Sequence, residues 1–92
     1  MLISHDFEDR VLHVTLLRDV DVTGRAAAAL HIETLLAAHA PRHVRIQLPT
    51  TDPSPASLSV LARARRLCEG RGTPLSVVGP VRIASRARPA AA

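Results

Sequence analysis

Arg42-His43-Val44-Arg45-Ile46-Gln47-Leu48 alternates without a break. Val44, Ile46 and Leu48 fall on one side, Arg45 and Gln47 on the other. Successive side chains of a strand point to opposite faces, so this is a strand with one buried face. A strand covered on both faces would read as a continuous apolar run. The polar side therefore predicts that everything packed on this sheet packs on the same face. Pro41 stands before the strand, and Pro49-Thr50-Thr51-Asp52-Pro53 forms a loop after it.

On the N-terminal side, a helix is predicted from Thr23-Gly24 to about Ala40, with Thr23 as N-cap and Pro41 as the stop. Ala28, Ile32, Leu35, Leu36 and His39 share one helical face, Arg25 lies at its margin, and Leu30 points away. Residues 11–17 give the strongest strand signal and residues 2–7 a shorter one. Only Glu8-Asp9-Arg10 separates them, too few residues for a parallel crossover, so they pair as an antiparallel hairpin.

On the C-terminal side, Ser54-Pro55-Ala56-Ser57 is a helix start, with Ser as N-cap and Pro at the first helical position. The helix runs to about Glu69, and Gly70 and Gly72 end it. Ser57, Val60, Leu61, Ala64, Leu67 and Cys68 share its apolar face; Ser59, Arg63, Arg66 and Glu69 lie opposite. Residues 75–78 form a last strand, closed by Gly79-Pro80. The order is β-β-α-β-α-β. Strand-helix-strand units give parallel pairing through right-handed crossovers. The predicted fold is α/β, a mixed four-stranded sheet with both helices on one face. Residues 1–81 form one domain, and the Ala/Arg-rich tail 82–92 is expected to be disordered.

Composition limits what such a domain does. With 92 residues there is room for one core, and Phe7 is the single aromatic residue of the chain. All twelve basic residues are arginine, against eight acids, for a net charge of +4. Arg82, Arg86 and Arg88 sit in the acid-free tail, so residues 1–81 are close to neutral. There is no Tyr or Trp on which bases would stack. Nucleic-acid binding is therefore expected to be weak, diffuse and salt-dependent. The lone Cys68 excludes an internal disulfide, and no targeting or membrane-spanning stretch is read, so a cytoplasmic location without membrane insertion is expected.

These elements carry strings that resemble the STAS domain, the family of bacterial anti-sigma factor antagonists. The family's second strand runs into a Gly-Glu-Leu-Asp-like segment. Here the string is Leu17-Arg18-Asp19-Val20-Asp21-Val22-Thr23, with Asp21 in the Asp position. Ala28, Ile32, Leu35 and Leu36 fall on the family's core helix positions. Gln47-Leu48 stands where its third strand ends in Asp-Leu, and Leu58-Ser59-Val60-Leu61 resembles the start of its second helix. Gly70-Arg71-Gly72-Thr73-Pro74-Leu75-Ser76-Val77-Val78-Gly79-Pro80 resembles its Gly-rich turn, fourth strand and closing Gly-Pro. The resemblance spans about residues 2–81. It departs from the family where switchable members carry Asp-Ser-Ser-Gly. Aligned back from Leu58, Ser54-Pro55-Ala56-Ser57 occupies that string, so the phosphoacceptor position is Pro55. The preceding loop is one residue shorter, and Thr51, Asp52 and Pro53 replace its apolar residues. The family's last helix is missing or reduced to Val81-Arg82-Ile83-Ala84.

The resemblance implies a non-catalytic regulatory module that acts by binding a protein. The partner is an anti-sigma factor with a kinase-type fold or another STAS protein. The expected contact surface is Asp21, Asp52, Ser54, Ser57, Ser59 and Arg63. Ser54 and Ser57, in the first helical turn where phosphate is favoured, are candidates for a displaced phosphoacceptor, against a plain capping role. The alternatives are a structural subunit of a larger complex such as a lipid-transport ATPase, a basic nucleic-acid-binding module and, last, a small enzyme.

The residues themselves read as neither catalytic nor metal-binding. Asp19 and Asp21 are expected to point the same way; such residues more often cap the next helix or face a partner, and no His, Ser or Cys stands at a catalytic spacing from them. His39 and His43 are separated by Pro41, which falls short of a zinc signature. No cofactor motif is present, and Cys68 reads as a buried, inert thiol. Without the family's last helix, apolar sheet surface around Leu75, Val77 and the second strand is expected to stay open, which predicts a homodimer or a partner complex.

Overall fold

The computed structural model describes residues 2–79. Its order is β1 (Ile3–Glu8), β2 (Val11–Leu16), α1 (Arg25–His39), β3 (His43–Gln47), α2 (Pro55–Arg71) and β4 (Leu75–Val78). The four strands form one mixed sheet in the order β1-β2-β3-β4. β1 and β2 are antiparallel, and β2–β3 and β3–β4 are parallel. The disordered tail expected from residue 82 and the stump of helix at Val81-Arg82-Ile83-Ala84 lie outside the described residues.

The registers Ile3↔Leu16, Leu12↔Val44, Val14↔Ile46, Val44↔Leu75 and Ile46↔Val77 place one set of apolar residues on one face. Leu12, Val14, Leu16, Val44 and Ile46 are buried there. They form a single cluster with Ala28, Ile32, Leu35 and Leu36 of α1 and Ala56, Val60, Ala64 and Cys68 of α2. Both helices therefore cover the same face. The opposite face carries Asp6, His13, Arg45, Gln47 and Ser76 and has no helix over it among the described residues. Each helix links neighbouring parallel strands, so both run back against the strand direction and parallel to each other.

Local details differ from the sequence expectations for physical reasons. The hairpin turn is Asp9-Arg10 alone, because Glu8 pairs with Val11. Both turn residues have positive φ (54° and 65°), the backbone class that matches the twist of the flanking strands. The N-cap of α1 is Gly24 and not Thr23; it has no side-chain cap bond, and Asp21 Oδ1 accepts the Gly24 N–H at 2.7 Å. Gly70 continues α2, and Gly72 alone ends it, at φ 70°. Leu61 and Leu67 are half-buried at the margin of the core. The second strand is not open: Leu12, Val14 and Leu16 are at most 1% exposed, because β2 is an interior strand under the helices. Val77, on edge strand β4, is 37% exposed.

Candidate functional site

The sequence between β2 and α1 meets the start of α2 at the end of the sheet where β2 and β3 finish. Ser54 begins α2 with extended backbone, and its side chain accepts the Ser57 N–H at 3.1 Å. That is the bond an N-cap supplies, and Pro55 follows at a position whose N–H would have no helical partner. Ser54 also ties this cap to the facing segment. Its Oγ donates to the Val20 carbonyl at 2.6 Å, and its N–H donates to Asp19 Oδ1 at 3.1 Å.

Ser57 sits one turn further in and is fully buried. Its Oγ accepts the Val20 N–H at 2.9 Å and donates to Asp19 Oδ1 at 2.5 Å. The hydroxyl thus satisfies the buried amide of Val20, itself 2% exposed. Asp19 is exposed yet receives hydrogen bonds from Ser57, Ser54 and their neighbourhood. The Ser57 hydroxyl bond, followed by the Ser54 amide, holds its carboxyl below the usual aspartate range. The result is a clip between Asp19-Val20 and Ser54-Ser57, drawn from segments more than thirty residues apart.

The clip redistributes the residues singled out from the sequence. Asp19 and Asp21 do not act as a pair: Asp19 binds the start of α2, while Asp21 folds back on Gly24. The chain after Leu16 is irregular, so strand alternation does not govern these two side chains. Asp52 is exposed in the loop before α2, its N–H donated to Thr50 Oγ1 at 3.1 Å. Ser59 and Arg63 are exposed on the outer face of α2, and Arg63 reaches Glu33 of α1 at 3.6 Å. Ser54 and Ser57 are joined to the clip, and Ser59, Arg63, Asp21 and Asp52 lie outside it.

Sequence reasoning missed two groupings. The first is the Asp19–Ser57 contact. The second is a set of rings at the outer side of β1, where His5 lies 6.3 Å from His31 and 5.8 Å from His39, and Phe7 lies 4.6 Å from His39 between ring centres. The register places His5 and Phe7 on the helix-covered face, a signal available once β1 pairs with β2. His43 is elsewhere, bonded to Ser76 at 2.9 Å on the open face. Among the described residues no three His, Cys, Asp or Glu side chains are placed to hold a metal ion. Cys68 is 1% exposed, and burial pushes its thiol pKa up. No helix among the described residues is long and apolar enough to cross a membrane.

No family model matches this chain, and no curated protein matches it. Among solved structures it is similar to one described as a crystal structure analysis of Mglu, with TM-score 0.64 and 19% sequence identity. The match covers 87% of this chain and 20% of the other, so this chain spans about a fifth of that protein's length. The likeness extends to the fold.

Proposed function

We propose that this chain is a non-catalytic protein-interaction module of the STAS type, similar to anti-sigma factor antagonists but not switched by phosphate at the family's usual position. The observation that carries the reading is the start of α2. The residue at the acceptor position, Pro55, has no hydroxyl, and the nearby Ser57 hydroxyl is buried with both its donor and its acceptor capacity engaged. A kinase needs an accessible hydroxyl, and opening this one breaks bonds to Asp19 and Val20. The fold order and the Gly72-to-Gly79 strand ending support the STAS resemblance. The partner is an anti-sigma factor of kinase-type fold or another STAS protein. It meets the end of the sheet that carries Asp21, Asp52, Ser54 and Ser59, with Ser57 beneath them and Arg63 beside them.

The test is incubation of the protein with ATP and an anti-sigma kinase, followed by intact mass. No stoichiometric phosphate is expected. One phosphate mapped to Ser54 or Ser57 overturns the non-switching reading. Affinity capture from the native host then identifies the partner class. The alternative reading is a structural subunit of a larger complex, such as a lipid-transport ATPase. Co-purification with an ATPase decides for it.

A further inference from the structure

Between α1 and α2, on the side away from the sheet, lies a cleft of about 230 Å³ lined by Arg25, Ala26, Ala29, Ser59, Arg63 and Arg66. Two alanines on α1 leave its wall low, and three guanidinium groups stand around it. No acidic side chain lines it. Glu33 meets Arg63 at 3.6 Å, with both side chains about half exposed, and this is the only ion pair among the described residues. Arg25 and Arg66 have no acidic partner among them. Three arginines facing one carboxylate leave the cleft positive in a domain whose described part is otherwise close to neutral.

From this cleft we infer that the chain binds an acidic segment of its protein partner, with side-chain carboxylates taken by Arg25, Arg63 and Arg66. The inference rests on the reading of the chain as an interaction module and gives that module a partner chemistry. The spacing of the cations selects the ligand. Arg63 and Arg66 stand about 4.5 Å apart along the axis of α2 at 1.5 Å per residue, and Arg25 lies across the cleft on α1. Charges spread over two helices match carboxylates spread along a peptide. A single phosphate needs donors aimed at one point. At the start of α2 the Ser57 N–H is turned to an internal bond with Ser54 instead. Arginine suits the task, because its planar fork engages a carboxylate with two parallel hydrogen bonds.

The test is an amide NMR titration of the full chain with a Glu/Asp-rich dodecapeptide, beside its Gln/Asn counterpart and inorganic pyrophosphate. Shifts are expected at Arg25, Ala29, Ser59, Arg63 and Arg66 with the acidic peptide and not with the neutral one, weakening as salt rises. Arg63→Ala and Arg66→Ala each weaken binding about threefold to fivefold, the range of an exposed charge pair. Arg65→Ala, which removes the same charge from α2 outside the cleft, leaves it nearly unchanged. Circular dichroism confirms that each variant is folded. The inference is overturned if the acidic peptide moves none of these amides, if Arg65→Ala weakens binding as much as Arg66→Ala, or if pyrophosphate binds the cleft as tightly as the peptide. No native partner enters this titration. Its failure therefore leaves the interaction-module reading standing or falling on affinity capture alone.

Discussion

Ser57 is the residue on which the junction between the two halves of the chain depends. Its hydroxyl is the acceptor for the buried Val20 N–H and a donor to Asp19. Ser57→Ala leaves that amide without a partner inside the protein, at a cost of about 1–3 kcal/mol. For a domain of this size each kcal/mol lowers the melting temperature by about 4–8 °C, so thermal unfolding reads the loss directly. Asp19 contributes in a pH-dependent way. Its carboxyl is held below the usual range by the Ser57 and Ser54 bonds. A lowered folded pKa means the stabilisation is complete above the unfolded value of about 3.9 and disappears as pH falls through the folded value. Asp19→Asn is therefore expected to lower stability at neutral pH and to flatten the acid limb of a melting-temperature profile. An acid limb unchanged by the substitution would show that other carboxylates govern it.

At the scale of the elements, the ends of α2 show why some features were legible in the sequence and others were not. Ser54 before Pro55 is legible because each residue type suits one backbone position and little else. Gly72 is legible for the same reason: it ends the helix at φ 70°, where a side chain is strained, and no neighbouring atom lies within 4 Å of a Cβ placed there. Gly72→Ala therefore meets only the backbone cost of the left-handed conformation, about 1–2 kcal/mol, measurable by denaturant unfolding. A much smaller effect would mean the turn relaxes into another conformation. The alternation in β3 was legible because a period of two leaves no other assignment. The start of α1 was not. Residues 17–24 have no period, and although Asp19 and Asp21 both read as able to cap the next helix, nothing in the spacing says that Asp21 alone turns to Gly24 while Asp19 turns to α2. The Asp19–Ser57 contact spans 38 residues and arises only when the crossover through β3 brings the two segments together.

At the scale of the whole molecule, the sheet order leaves β1 and β4 as edges among the described residues. A sheet edge offers unpaired backbone groups, and apolar side chains beside it make it a place for association. Both edges carry such side chains. Phe7 is 37% exposed and Leu17 is 50% exposed near β1, and Val77 is 37% exposed on β4. Near β1 a shallow hollow of about 500 Å³ is lined by Ile3, Ser4, His5, Leu17 and His31. The interior strands contribute nothing to this surface, since their helix-facing side chains are fully covered. Association is therefore expected at an edge. A 92-residue chain with one aromatic side chain has little stability to spare, so covering these groups in a second copy or a partner is favourable. The expected outcome for the isolated protein is a homodimer, with a light-scattering mass near twice 9.9 kDa. Its melting temperature should rise with protein concentration, as mass action requires when only the folded state associates. Leu17→Ser and Val77→Ser separate the edges, because the substitution at the edge used removes the concentration dependence and the other does not. A monomer whose melting temperature is high and independent of concentration would show that these edges are not association surfaces and that a single copy is stable alone.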